Sequence, residues 1–170
     1  MIKLYKKGSP ATEYHEAWLS DGEITEHWGR LGTNGETRVH RADPKLDDDA
    51  NIERVLSDAR SRGFQELDED DERTLLVEYT IDGMGSAQDV AKRHRLEDKL
   101  NEVLGWAGLG HCDGGSIGSG TMEACCFVAD FDIAAVVIRE ALVGTEFADF
   151  SRIYDENEWS FPDFPDRLLM

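Results

Sequence analysis

Two turn dipeptides, Asp21-Gly22 and Asn34-Gly35, divide the first forty residues into strand-length runs and constrain the fold more than any other feature. A two-residue type I′ turn needs positive φ at both central positions, which Asp, Asn and Gly adopt most readily. Each dipeptide therefore predicts a hairpin between antiparallel strands. We expect those strands near residues 13–20, 23–31 and 36–41.

A helix is expected to complete this first half of the chain. Apolar residues recur at helical spacing from about Asp49, the first turn is acidic, and Gly63 is placed to end the helix. An N-terminal strand around Lys3-Leu4-Tyr5 would lie beside the predicted hairpins. The predicted arrangement is an antiparallel sheet covered by one helix.

The block Trp28-Gly29-Arg30-Leu31-Gly32-Thr33 lies between two of these strands. Trp28 and Arg30 are two residues apart, so on a strand both side chains project from the same face. An indole beside a guanidinium forms a flat, cationic surface suited to stacking or to holding a carboxylate. The alternative is that Trp28 is a core residue and Arg30 its neighbour reaching to solvent. Four residues in this block and in the turn dipeptide that follows it would shape the backbone: Gly29, Gly32, Asn34 and Gly35.

These residues and the order of elements around them resemble the WGR domain over about the first 68 residues. In polymerases of the poly(ADP-ribose) type, WGR domains take part in recognising DNA ends and in relaying that contact to neighbouring domains. The resemblance implies that Trp28 and Arg30 carry such a role here. Further phosphate contacts would come from Lys3, Lys6, Lys7, Arg38 and Arg41.

The charge distribution favours a different partner. The net charge is −18, and residues 1–67 carry only −3 of it, against −4 for 68–73 and −11 for 74–170. Non-specific affinity for DNA comes mainly from Lys and Arg, so a cationic patch is expected in the first half only. Two hypotheses stay open: DNA or RNA binding through residues 1–67, or a regulatory module whose acidic second half binds a basic protein.

The second half alternates strand and helix in the order βαββαβ, which predicts a ferredoxin-like domain. Ser86 with Asp89 forms a capping-box pattern before a helix over roughly 86–107. The glycine-rich segment Gly114 to Gly120 is expected to be a long or bulged hairpin turn, and Asp130 or Asp132 to cap a later helix. The overall prediction is an α+β protein.

We place the domain boundaries by composition. Residues 1–67 form the WGR-like domain, 68–73 an acidic linker, 74–156 the ferredoxin-like domain, and 157–170 an aromatic and proline-containing tail. A block of acids repels itself and stays solvated, as linkers do. Alternatively, the acidic strip covers the basic face of the first domain. The tail is expected to pack back on a domain surface, or else to be a docking motif.

No pattern in the chain predicts catalysis, a metal site or a cofactor. The glycine-rich segment lacks the spacing and the lysine of a P-loop. His111, Cys112 and Asp113 have no second Cys/His pair at zinc spacing, and the three cysteines are expected to be reduced. No apolar run approaches the roughly 18 residues that a membrane-spanning helix requires, so we expect a cytoplasmic, non-enzymatic protein.

Overall fold

The computed structural model describes residues 1–8 and 10–158, so the predicted tail 157–170 lies almost wholly outside the described residues. The elements follow in chain order: β1 (Ile2–Lys6), β2 (Glu13–Ser20), β3 (Glu23–Arg30), β4 (Glu36–Arg41), α1 (Asp48–Ser61), β5 (Arg73–Thr80), α2 (Ala87–Trp106), β6 (Gly110–Gly118), β7 (Thr121–Val128), α3 (Phe131–Leu142) and β8 (Arg152–Asp155). The predicted α+β class is confirmed: the described residues form two antiparallel sheets and three α-helices. None of these helices is long and apolar enough to cross a membrane.

The first sheet has the strand order β1-β2-β3-β4. One of its faces packs against α1, with Leu4, Ala17 and Ile24 from the strands buried against Ile52 and Leu56 from the helix. The N-cap residue before α1 is Asp47, whose carboxylate accepts a hydrogen bond from the Ala50 backbone N–H. Because side chains alternate along a strand, the neighbouring positions face away from α1.

The second sheet has the strand order β6-β7-β5-β8, so β5, the first strand of this half, lies in the middle. Helices α2 and α3 pack on this sheet around a core rich in leucine, with Leu96, Leu100 and Leu104 fully buried. The predicted capping box is confirmed, because Ser86 accepts from the Asp89 N–H and Asp89 accepts from the Ser86 N–H. Of the two predicted caps for α3, the structure has Asp130, which accepts from Ile133 at 2.9 Å.

The hairpin predicted at Asn34-Gly35 forms between β3 and β4, but the prediction of a two-residue turn was wrong. β3 ends at Arg30 and Trp28 pairs with Glu36, so residues 31–35 form a longer connection, and Asn34 does not have positive φ. The reason is that Leu31 leaves the strand to enter the core of the second half, which a tight turn would prevent. The turn at Asp21-Gly22 forms as predicted, with positive φ at both residues.

The glycine-rich segment is mostly strand rather than turn. β6 continues to Gly118, and the register shifts between Cys112 and Gly115, which marks the bulge that was one of the two predicted forms. Residue 115 has room only for glycine because β7 lies close to it. A Cβ on Gly115 would lie 1.9 Å from the Glu123 carbonyl oxygen.

The two halves are in direct contact. Tyr14 and Leu31 belong to the same buried cluster as the core of the second half. The Gly32 N–H donates to the Ala107 carbonyl at 2.9 Å, and the Tyr5 hydroxyl donates to the Gly108 carbonyl at 3.1 Å. Of the segment 68–73, residues Glu69–Asp71 form a 3-10 turn and Arg73 already begins β5. The division into two domains stays a prediction, but the face of the first sheet that points away from α1 is an internal contact surface.

Candidate functional site: a cationic–aromatic row

Trp28 lies in the middle of a row of rings and cations that crosses the first sheet on its α1 side. Its indole stacks on the imidazole of His15, with ring centroids 5.7 Å apart and planes 24° from parallel. The guanidinium of Arg38 lies 5.4 Å from the centre of the indole. Since His15 is on β2 and Arg38 on β4, strands that flank β3 on opposite sides, the indole lies between them.

The row continues beyond His15 to Phe64, just after the end of α1. The two rings meet edge to face at a centroid distance of 5.7 Å. Two further cations lie over the Phe64 ring, the Arg62 guanidinium at 5.3 Å and the Lys6 ammonium at 5.8 Å. We call this set of six side chains the cationic–aromatic row: Lys6, His15, Trp28, Arg38, Arg62 and Phe64.

Arg30 is exposed at the end of β3 and projects on the same side as Trp28. Its register partner on β2 is Glu13, which pairs in turn with Lys6 on β1. Among the described residues, no ion pair holds the Arg30 guanidinium. Arg30 and the row therefore place four cations on one face of the sheet.

A buried carboxylate beneath the row fixes the position of His15. Glu26 accepts hydrogen bonds from Nε2 of His15 at 2.7 Å and from Nε2 of His40 at 2.6 Å. Nδ1 of His15 faces the Arg62 guanidinium at 3.5 Å, which can only donate, so the network assigns the His15 proton to Nε2. Burial alone would raise the pKa of Glu26, but the hydrogen bonds from His40 and His15 hold that pKa below its ordinary value. These hydrogen bonds therefore fix the position of the His15 ring, which stacks on Trp28.

Three of the predicted phosphate contacts lie elsewhere. Lys3 is on the opposite face of the sheet, where its ammonium bonds Glu16 at 2.9 Å. Lys7 follows β1 and pairs at 2.6 Å with Asp71 of the acidic segment. Arg41 ends β4 and projects on the side away from Trp28. The structure therefore brings Trp28, Arg30, Arg38 and Lys6 together and separates Lys3, Lys7 and Arg41 from them.

Sequence reasoning missed His15, Phe64 and Arg62 as members of the row. His15 had a local signal, because a residue paired with Trp28 across a hairpin can be counted from the Asp21-Gly22 turn. Phe64 and Arg62 had none, because their contacts with the sheet depend on how α1 packs.

The thiols and histidines of the second half form no comparable site. Among the described residues, no group of three or more Cys, His, Asp or Glu side chains could hold a metal ion. Burial raises the pKa of the Cys125 thiol, and the hydrogen bond with Cys112 together with burial raises that of Cys126. Such protonated thiols are poor nucleophiles. His111 packs against Phe127 instead of facing another titratable ring.

Comparison with protein-family models, with curated proteins and with solved structures found no match to this chain.

Proposed function

We propose that this chain is a non-catalytic binding protein that contacts nucleic acid through the cationic–aromatic row. We also propose that the first half of the chain has a WGR-like fold and the second half a ferredoxin-like fold. The strand order β6-β7-β5-β8, with β5 between β7 and β8, supports the second assignment. The single observation that carries the function is the placement of Arg30, Arg38, Arg62 and Lys6 around stacked rings on one face.

His15 and Arg38 lie against the two faces of the Trp28 indole, and these two contacts define how the end of a nucleic-acid strand would bind. His15 covers one side of the indole, and its ring is held there by contacts with Glu26 and Arg62. Arg38 covers the other side but is exposed, with a charge that a phosphate group would attract. When Arg38 turns to a phosphate, the uncovered indole face takes a terminal base by stacking.

Long-range repulsion from the acidic second half opposes this binding but does not abolish it. The Debye length is about 10 Å at 0.1 M salt, so charges beyond that distance from the row are largely screened. Several acids of the second half are also paired, including Glu146 with Arg95, Asp149 with Lys92 and Glu78 with Arg152. Binding is therefore expected to be modest and to depend strongly on salt.

The test is a titration of the whole chain with blunt, nicked and single-stranded DNA across a salt series. The isolated first half is unsuitable because cutting the chain would expose Tyr14 and Leu31. Four phosphate contacts predict that the logarithm of the binding constant falls with the logarithm of salt concentration with a slope of about −3 to −4 on duplex DNA. Arg38→Ala should lower the affinity and make this slope shallower by about 1.

Arg41→Ala is the matched control, because it removes an exposed arginine of the same strand on the side away from Trp28. If the Arg38 and Arg41 variants lose the same amount of DNA affinity, the effect comes from net charge and not from the row, which would contradict the proposal. So would an intact chain that binds none of the three DNA forms at low salt.

The second candidate function is binding of a basic protein through the acidic half. The observation that favours it is the charge of −11 carried by residues 74–170. Affinity capture with the intact chain, followed by reconstitution with the purified partner, tests it. A basic partner whose binding weakens with salt and is unaffected by Trp28→Ala would support it, whereas recovery of nucleic acid alone would contradict it.

A further inference from the structure

A pocket of about 450 Å³ lies between the two halves, on the side of the first sheet that faces away from α1. The first sheet contributes Lys3, Glu16, Trp18 and His27 to its wall. The end of α2 and the start of β6 contribute Asn101, Glu102, Gly105, Trp106, Gly110 and His111. This volume suits a small molecule, and the cationic–aromatic row lies on the other face of the sheet.

Three rings of this wall are nearly perpendicular to one another. The planes of Trp18 and Trp106 differ by 79°, those of Trp18 and His27 by 81°, and those of His27 and Trp106 by 71°. The centroid distances are 6.4, 6.3 and 5.1 Å in the same order. Perpendicular walls form a corner that fits a compact, rounded group, whereas a flat ring needs parallel walls to stack between.

Trp106 is the exposed member of this corner. It lies in the last turn of α2, and 45% of its surface is accessible although it is among the largest apolar side chains of the chain. Trp18 is half-buried beside it. Two adjacent, partly exposed tryptophans form an apolar patch that a bound apolar group would bury, which would stabilise both side chains.

The charges around the corner favour a cation. Glu16 is paired with Lys3 at 2.9 Å and bonds His27 at 2.7 Å. Glu102, the other carboxylate of the wall, pairs with Lys99 at 3.1 Å, but this is a surface ion pair that contributes little, so an incoming cation can compete for the carboxylate. Indole faces are also negative, and the net charge of −18 attracts cations to the whole molecule.

We propose that this pocket binds a small organic cation whose methylated ammonium head rests in the corner of Trp18 and Trp106, with the fully buried ring of His27 behind the two indoles. The methyl groups contact the indole faces, and the charge interacts with the two indole rings and with Glu102. No covalent step is involved. The site is independent of nucleic-acid binding, because it uses the opposite face of the first sheet.

The test is an NMR titration of the ¹⁵N-labelled intact chain with choline and with 3,3-dimethyl-1-butanol, which has the same shape without the charge. We expect the indole N–H signals of Trp18 and Trp106 to shift saturably while that of Trp28 stays in place. We expect choline to bind at least about fivefold more tightly than the alcohol, the range of a partly desolvated cation–π contact.

Variants separate this site from the row. Trp106→Ala should weaken choline binding by about fivefold or more, Trp106→Phe should keep part of it, and Trp28→Ala should leave it unchanged. If Trp106→Ala does not fold, the indole N–H shifts of the unaltered chain and the choline affinity of Trp106→Phe still test the proposal. Equal binding of the alcohol, no saturable shift, or a shift confined to Trp28 would overturn the proposal, and none of these results bears on DNA binding.

Discussion

The ring of Tyr14 lies directly against the backbone of Gly108, so closely that a Cβ on residue 108 would come within 2.3 Å of the ring. Tyr14 is fully buried on β2, and Gly108 follows the end of α2 with φ of +68°. This contact, together with the hydrogen bond from Tyr5 to the Gly108 carbonyl, fits the first sheet onto the second half. The two halves fit because residue 108 has no side chain.

Gly108→Ala should lower the free energy of unfolding by about 2 to 4 kcal/mol, because it combines a left-handed backbone with a collision against a buried ring. Chemical denaturation monitored by circular dichroism measures the loss. Gly144→Ala is the matched control: its φ is +72°, but nothing lies within 4 Å of the added Cβ. Equal losses for the two variants would show that the Tyr14 contact contributes nothing.

Leu31→Ala should destabilise the whole chain, not the first half alone. Leu31 is 4% exposed and packs in the core of the second half, so its truncation should lower the free energy of unfolding by about 2 to 5 kcal/mol. Tryptophan fluorescence and circular dichroism should report a single shared transition. Leu46→Ala, at an exposed leucine outside the core, should cost far less. Two separate transitions, of which only one moves, would contradict the shared core.

Glu26→Gln should remove a pH-dependent part of the stability. Because the pKa of Glu26 is lowered on folding from its ordinary value of 4.5, its carboxylate stabilises the folded state above that value. This contribution disappears as the pH falls through the lower, folded pKa. The difference in unfolding free energy between the unaltered chain and Glu26→Gln should therefore shrink from pH 6 to pH 3. A difference that stays constant between pH 6 and pH 3 would contradict this role of Glu26.

Gly115→Ala should disrupt the β6–β7 hairpin, because the added Cβ would lie 1.9 Å from the Glu123 carbonyl oxygen of β7. We expect a loss of about 1 to 3 kcal/mol in unfolding free energy and faster amide hydrogen exchange in both strands. Gly114→Ala tests the neighbouring bulge residue, where φ is +82° but nothing lies within 4 Å. A greater loss at Gly114 than at Gly115 would mean that backbone strain, not strand contact, selects glycine here.

Local signals in the sequence determined the elements of this fold. Turn dipeptides need particular φ values, capping residues bond the N–H groups of their own helix, and apolar periodicity belongs to a single element, so each can be recognised within a few residues. The strands of the first sheet, the capping box at Ser86 and the shared face of Trp28 and Arg30 all follow from such signals.

Only the tertiary structure decided which of these elements contact one another. Leu31 is buried in the core of the second half, and the connection from β3 to β4 is longer than the predicted two-residue turn. The packing of α1 against the first sheet brings Arg62 and Phe64 to the row, beside Lys6 and His15. Trp18 and Trp106 meet only because the sheet docks on the end of α2. Contacts between residues so distant in sequence depend on packing between elements, which no local pattern records.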